Sequence, residues 1–154
     1  METKKSKYKL IREVLSTILT ITLIVLLVSK IVLLALGIPS PIAVVSGTSM
    51  EPTLYEGDMV ILYKPAPSDI KPGDVIVYVS KTGRYIIHRV IEVKVVNGEY
   101  YYRTKGDNVP IEDYIQYDNS YGISYSRVIG KVLAINNAIF KIPYIGYLSL
   151  ILYR

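Results

Sequence analysis

The chain has 154 residues, with 18 Lys+Arg against 13 Asp+Glu, no Cys, no Trp, one His and 15 Tyr. Without Cys there is no disulfide framework, no thiol nucleophile and no Cys-ligated metal, and one His cannot build a His-rich metal centre. The length suits about one domain, yet a hydrophobic fraction of 51% is high for a small soluble protein.

That excess sits in residues 14–36, VLSTILTITLIVLLVSKIVLLAL, interrupted by one charge, Lys30. As a helix at ~1.5 Å per residue the run rises about 34 Å, enough to cross a hydrocarbon core of about 30 Å. It is longer than the apolar stretch of a signal peptide, about 7–15 residues, and lacks the polar stripe of a core helix. The reading is a single membrane span, with Lys30 near enough to its end to reach the interface. Lys4, Lys5, Lys7, Lys9 and Arg12 precede it, and after it no Lys or Arg occurs until Lys64. The positive-inside rule then makes residues 1–13 a cytoplasmic tail in a cell membrane, 14–36 the transmembrane helix and 37–154 a domain on the outer face. Beyond residue 13 the balance is 13 basic to 11 acidic residues. The positive charge is therefore a topology signal, and it predicts no nucleic-acid partner.

After Gly37-Ile38-Pro39-Ser40-Pro41, where the prolines end the helix, the signals are those of strands. Short β-branched runs occupy 42–45, 59–63 and 75–79, and a longer one 85–96. Asn97-Gly98 is a strong hairpin signal joining 85–96 to 99–105. A further run covers 127–135, and Lys71-Pro72-Gly73-Asp74 and Thr82-Gly83 supply turns. The expected fold is mainly β, an antiparallel sandwich or barrel-like domain. The tyrosines suit strands with one wet end and a membrane nearby. The lipophilic tail, residues 142–153, is too short to span as a helix. It reads as a membrane-surface contact, the start of a second span, or a last strand in the core.

The candidate chemistry lies in Ser46-Gly47-Thr48-Ser49-Met50-Glu51-Pro52-Thr53-Leu54. A Ser beyond a strand and close to a Gly can present its hydroxyl on a sharp bend, because Gly47 permits backbone angles that other residues avoid. The same residues also suit an ordinary turn. The single His88 falls within the long strand, where it is either a base or a core histidine.

The extended pattern Gly-x-Ser-Met-x-Pro-Thr-Leu, followed by Glu56-Gly57-Asp58, resembles the nucleophile region of type I signal peptidases. Further blocks follow in the same order. Lys71-Pro72-Gly73-Asp74-Val75-Ile76-Val77 resembles a strand entry, and Tyr85-Ile86-Ile87-His88-Arg89-Val90-Ile91 the block that carries the base. Thr104-Lys105-Gly106-Asp107-Asn108 resembles the acidic loop, and Ile129-Gly130-Lys131-Val132 and Pro143-Tyr144-Ile145-Gly146-Tyr147 resemble the C-terminal blocks. Bacterial members carry Lys where this chain has His88, so the likeness is to the archaeal and endoplasmic-reticulum branch.

The resemblance implies a membrane-anchored serine endopeptidase that removes signal peptides from secreted preproteins, without metal or cofactor. It implies Ser49 as nucleophile and His88 as general base, since a Ser hydroxyl is weak until a base takes its proton. It implies two further carboxylates, here Asp107 and Asp113. Asp113 is favoured as the triad acid and Asp107 as a loop-shaping group, with Glu112 adjacent. Many members have a hydroxyl residue two positions before the nucleophile, and here that position is Gly47. The oxyanion donors expected are therefore the Ser49 N–H and the Ser46 hydroxyl. An extended substrate would add to strand edges at Ala43, Val44 and Val45 and at Tyr85, Ile86 and Ile87, its small residues entering pockets. The implied partners are preprotein signal peptides and the lipid bilayer, with accessory subunits left open. Two alternatives stay open: a Ser-Lys peptidase of the self-cleaving repressor type, using Lys94 or Lys105, and a catalytically silent β domain on a membrane stalk.

Overall fold

Neither Gly nor Pro occurs before Gly37, and helix α1 runs from Glu2 to Ala35. The structure, a computed structural model, describes residues 2–35, 41–136, 138–147 and 150, and along the helix the side chains of residues 8–31. The chain divides into two compact units, Met1–Gly37 and Ile38–Arg154. The helix begins well before the apolar run, because the Lys-, Arg- and Glu-rich residues ahead of it are good helix formers. Tyr8–Ile31 has a mean hydropathy of 2.3 and is long and apolar enough to cross a membrane. Its side chains are exposed on every face. The hydroxyls of Thr17, Thr20 and Thr22 donate to the carbonyls of Glu13, Ser16 and Ile18, each at 2.9 Å. This satisfies them inside the helix, as an apolar surrounding requires. Leu36 and the turn expected at residues 37–40 lie outside the described residues.

The second unit is built of short antiparallel strands: β1 (Ile42–Val44), β2 (Met59–Tyr63), β3 (Val75–Val79), β4 (Tyr85–Val96), β5 (Glu99–Lys105), β6 (Ile123–Ser124), β7 (Val128–Val132), β8 (Ala134–Ile135), β9 (Ala138–Ile139) and β10 (Lys141–Ile142). The main sheet has the order β1-β2-β7-β3-β4-β5-β6, and β10 also pairs with β2, while β8 and β9 form a separate two-stranded ribbon. Asn97 and Gly98 close the β4–β5 hairpin with φ of 53° and 82°, the paired positive angles of a tight hairpin turn.

β3 reads Val-Ile-Val-Tyr-Val, and its alternate residues serve two cores. Val75 and Val77 pack with Val45, Met50, Leu54 and Val60. Ile76 and Tyr78 pack with Val90, Tyr102, Ile123 and Val128. A strand covered on both faces carries a continuous apolar run rather than an alternating one. Inward-facing tyrosines keep their hydroxyls satisfied: buried Tyr102 donates to Pro67 O at 2.8 Å and half-buried Tyr125 to Pro65 O at 2.7 Å.

The run 127–135 is not one strand. Residues Tyr125–Arg127 form a 3-10 turn, β7 follows, and the chain leaves the main sheet after Leu133, whose N–H still reaches Ile61 O at 2.8 Å. β8 then folds back on β9 around Asn136, which has φ 52°. In the expected tail, Ile142 pairs with Met59 as part of β10, and the ring of Tyr147 covers Gly57. Residues 148, 149 and 151–154 lie outside the described residues.

Candidate active site

The nucleophile loop is pinned at its base by main-chain bonds. Val45 N–H donates to Asp58 O and Gly57 N–H to Val45 O, both at 2.9 Å. Within the loop Met50 and Leu54 are 1% and 0% exposed, and Leu54 N–H donates to Met50 O at 2.9 Å. Gly47, with φ 87°, makes the bend that side chains resist. Burying Met50 and Leu54 leaves Ser49 between them and the open face. Asn108 braces the bend from outside, its N–H donating to Ser49 O at 2.8 Å and its side-chain amide to Thr48 O at 3.2 Å.

His88 sits on β4 opposite Ile76 of β3. Its Nε2 lies 3.0 Å from Ser49 Oγ and its Nδ1 lies 2.6 Å from Asp113 Oδ2. The His88 and Asp113 side chains are 12% and 13% exposed. Asp113 Oδ2 also accepts from the hydroxyls of Thr104 at 2.6 Å and Tyr78 at 3.0 Å. An oxygen facing two hydroxyl donors and a ring nitrogen is an acceptor, so the imidazole proton belongs on Nδ1. The Nε2 lone pair then faces the Ser49 hydroxyl. Gly106 closes the site on its far side: a Cβ there would fall 2.6 Å from Ser49 O and 3.0 Å from His88 Nε2.

Asp107 is elsewhere. Its carboxylate accepts from Arg89 Nε at 2.7 Å and Arg89 Nη2 at 2.6 Å, and Arg89 also donates to Gly73 O at 2.7 Å. Burial pushes the Asp107 carboxyl up, but its bonds to Arg89 and Thr53 and the nearby positive charge outweigh this and hold it below the usual range. Glu112 is clasped by Arg103 and by the Tyr117 hydroxyl at 2.7 Å. Lys94 Nζ lies 3.8 Å from Glu92. Among the described residues, the hydrogen-bond partner of Ser49 Oγ is His88, and no lysine takes that position.

A groove of about 390 Å³ opens beside Ser49, lined by Ala43, Val44 and Ser46 on one side, Tyr85, Ile86, Ile87 and His88 on the other, and Val77. A second, more apolar hollow of about 270 Å³ adds Ile42, Leu62 and Ile129 to its lining. β1 ends the sheet path, and β4 pairs with β5 only from Arg89 onward. Two strand edges therefore border the groove. Val45 does not line it: at 2% exposure it is part of the core, because β1 stops at Val44 and the next side chain turns inward to close the loop. Ser46 is exposed on the groove wall, and among the described residues the Ser49 N–H has no acceptor.

Reasoning from sequence missed Tyr78, Thr104 and Gly106. Tyr78 carried a signal, since a tyrosine inside a fully apolar strand must find a partner for its hydroxyl.

Comparison with known proteins gives one consistent result. A family model described as "Signal peptidase, peptidase S26" matches residues 11–119. The signal peptidase complex catalytic subunit SEC11 of Plasmodium falciparum is 32% identical over 145 residues, covering 90% of this chain and 74% of that protein. The catalytic subunit SEC11C of Homo sapiens is 29% identical over 152 residues, covering 97% of this chain and 76% of that protein. The SEC11 subunit of Schizophyllum commune is 33% identical over 129 residues, covering 72% of this chain and 64% of that protein.

Proposed function

The chain belongs to the signal peptidase family, peptidase S26, and from that premise we propose a membrane-anchored serine endopeptidase that removes N-terminal signal peptides from secreted preproteins. The observation that carries the catalytic assignment is the unbroken line Ser49 Oγ–His88 Nε2, 3.0 Å, and His88 Nδ1–Asp113 Oδ2, 2.6 Å. Ser49 Oγ attacks the scissile carbonyl carbon as His88 Nε2 takes its proton. Asp113 holds the ring and balances the imidazolium charge. The Ser49 N–H, with the Ser46 hydroxyl beside it on the groove wall, receives the oxyanion. Collapse expels the amine of the mature protein, which takes the proton from His88 and leaves Ser49 acylated by the signal peptide. Water, deprotonated by His88, then attacks that ester, and collapse returns the proton from His88 to the leaving Ser49 Oγ, releasing the signal peptide as an acid and freeing the enzyme.

The substrate lies extended between Ala43-Val44 and Tyr85-Ile86-Ile87, adding its backbone to the two bordering edges. The apolar hollow and its neighbour take small side chains just before the cut. Helix α1 spans the membrane with its basic end in the cytoplasm, and its uncovered apolar surface supports a lipid setting. The relatives are named as catalytic subunits of a signal peptidase complex, which supports accessory subunits here too. The nucleophile, base and acid all come from this one chain.

The test is cleavage of a preprotein by the detergent-solubilised chain. Ser49→Ala and His88→Ala should each abolish cleavage, while Lys94→Ala and Lys105→Ala stay within a few-fold of the parent. Substantial cleavage by Ser49→Ala would end this reading, and loss in a lysine variant with activity kept in His88→Ala would reassign the base.

A further inference from the structure

One carboxylate oxygen, Asp113 Oδ2, collects three donors from three adjacent strands: the His88 ring on β4, the Thr104 hydroxyl on β5 and the Tyr78 hydroxyl on β3. Orienting an imidazole takes only the first. Tyr78 and Thr104 are both 0% exposed. Phenylalanine would fill the place of Tyr78 among Ile76, Val90 and Val128 with no polar atom to satisfy. A buried phenol is tolerated because its hydroxyl finds an acceptor, and that acceptor is the oxygen that holds His88.

We propose that Tyr78, together with Thr104, sets the proton affinity of His88 through Asp113, as positioning residues that never touch the substrate. This rests on the reading of Ser49, His88 and Asp113 as a triad. Each hydroxyl draws the negative charge of Oδ2 toward itself, so the carboxylate stabilises an imidazolium less than a bare carboxylate would. Removing either hydroxyl should therefore strengthen the hold of Asp113 on a proton carried by His88. The other groups around the ring do not supply this effect. Ser49 is neutral, Asp107 is held by Arg89 and its charge reaches the ring alike in every variant compared below, and Lys105 stands across from Arg89 on β5. Burial, followed by the charge of Asp113, pushes the Tyr78 phenol far above its ordinary value, so it remains a donor throughout the working range.

The chain has a single histidine, so imidazole NMR signals of this chain in detergent micelles report His88 alone. The titration compares the parent chain with Tyr78→Phe, Thr104→Val and Thr104→Ser. The midpoint should rise by on the order of half a pH unit in Tyr78→Phe and in Thr104→Val. Thr104→Ser, which keeps the donor, should titrate with the parent. The acid limb of kcat/KM should move by the same amount in the same direction. An unmoved midpoint in folded Tyr78→Phe and Thr104→Val would overturn the proposal. So would a fall, because the hydroxyls would then only be pressing the carboxylate against the ring. If Tyr78→Phe does not fold, the two Thr104 variants decide. The titration needs no substrate, so a parent chain that cleaves no preprotein would overturn the proteolytic reading while the midpoints still judge this one.

Discussion

Asp107 meets Arg89 with both carboxylate oxygens, at 2.7 and 2.6 Å, and so braces the acidic loop against β4 without touching the ring of His88. The two aspartates should therefore fail differently when made neutral. Asp113→Asn offers Nδ1 an amide, removes the counter-charge of the imidazolium and favours the wrong tautomer. In the best-studied Ser-His-Asp triad that change lowers turnover by about 10⁴, and a fall of that order is expected here with little change in melting temperature. Asp107→Asn leaves Arg89 with Gly73 O, the Thr53 hydroxyl and the amide oxygen, and should lose about 1 kcal/mol of stability with a milder loss of activity. Thermal melts and single-turnover rates on both variants check this. A severe catalytic loss at Asp107 with an active Asp113→Asn would exchange their roles.

The family resemblance singled out Asp107 and Asp113 in the sequence, and local pattern marked the hairpin at Asn97-Gly98 and the strand 75–79. What was not legible depends on long-range assembly. Tyr78, Thr104 and Asp113 meet at one oxygen only because β3, β4 and β5 lie side by side, and no spacing rule announces a shared acceptor. Val45 reads as one more residue of an edge strand until the Val45–Asp58 closure turns it into the core. The continuous run 127–135 hides a break, because its apolar residues serve two sheets in succession.

Gly106 gives a sharp steric prediction. Its Cβ would stand 2.6 Å from Ser49 O, a backbone atom, and 3.0 Å from His88 Nε2. Neither can yield without moving the dyad. Gly106→Ala should cost about 1–3 kcal/mol in stability by overpacking and lower kcat on the order of 10²-fold, the penalty of a misplacement of about 1 Å. Denaturation and steady-state assays measure the two effects separately. An alanine variant with parental kcat would show that the loop has room that the geometry denies it.

The proposed topology is tested in intact cells. With Lys4, Lys5, Lys7, Lys9 and Arg12 ahead of the span, protease added outside should digest the β domain and spare an epitope placed on the N-terminal tail. Digestion of the tail alone would reverse the orientation and remove the secretory-face reading.

The last prediction concerns Asp58 and Lys141, which tie β10 to the nucleophile loop. Asp58 is 1% exposed, accepts from Tyr55 N–H at 3.0 Å and lies 2.6 Å from Lys141 Nζ, which also donates to Thr53 O at 3.0 Å. Burial pushes the Asp58 carboxyl up. Its bonds to Lys141 and Tyr55, with the lysine charge, outweigh that and leave it below its ordinary value. A carboxyl lowered on folding stabilises the fold fully above its unfolded value of about 4, and that contribution is lost as pH falls through the lower folded value. Lys141→Met keeps much of the aliphatic stem but strands the buried carboxylate, a loss of about 3 kcal/mol at neutral pH. The deficit should shrink toward pH 3, where the stranded carboxyl takes up a proton. Asp58→Asn in the Lys141→Met background should recover part of the loss at pH 7, because an amide needs no cation while its oxygen still accepts from Tyr55. Melting temperatures of the parent, the single variant and the double variant at pH 7 and pH 3 decide the matter. A Lys141→Met deficit that is equal at both pH values would mean that Lys141 acts through packing alone.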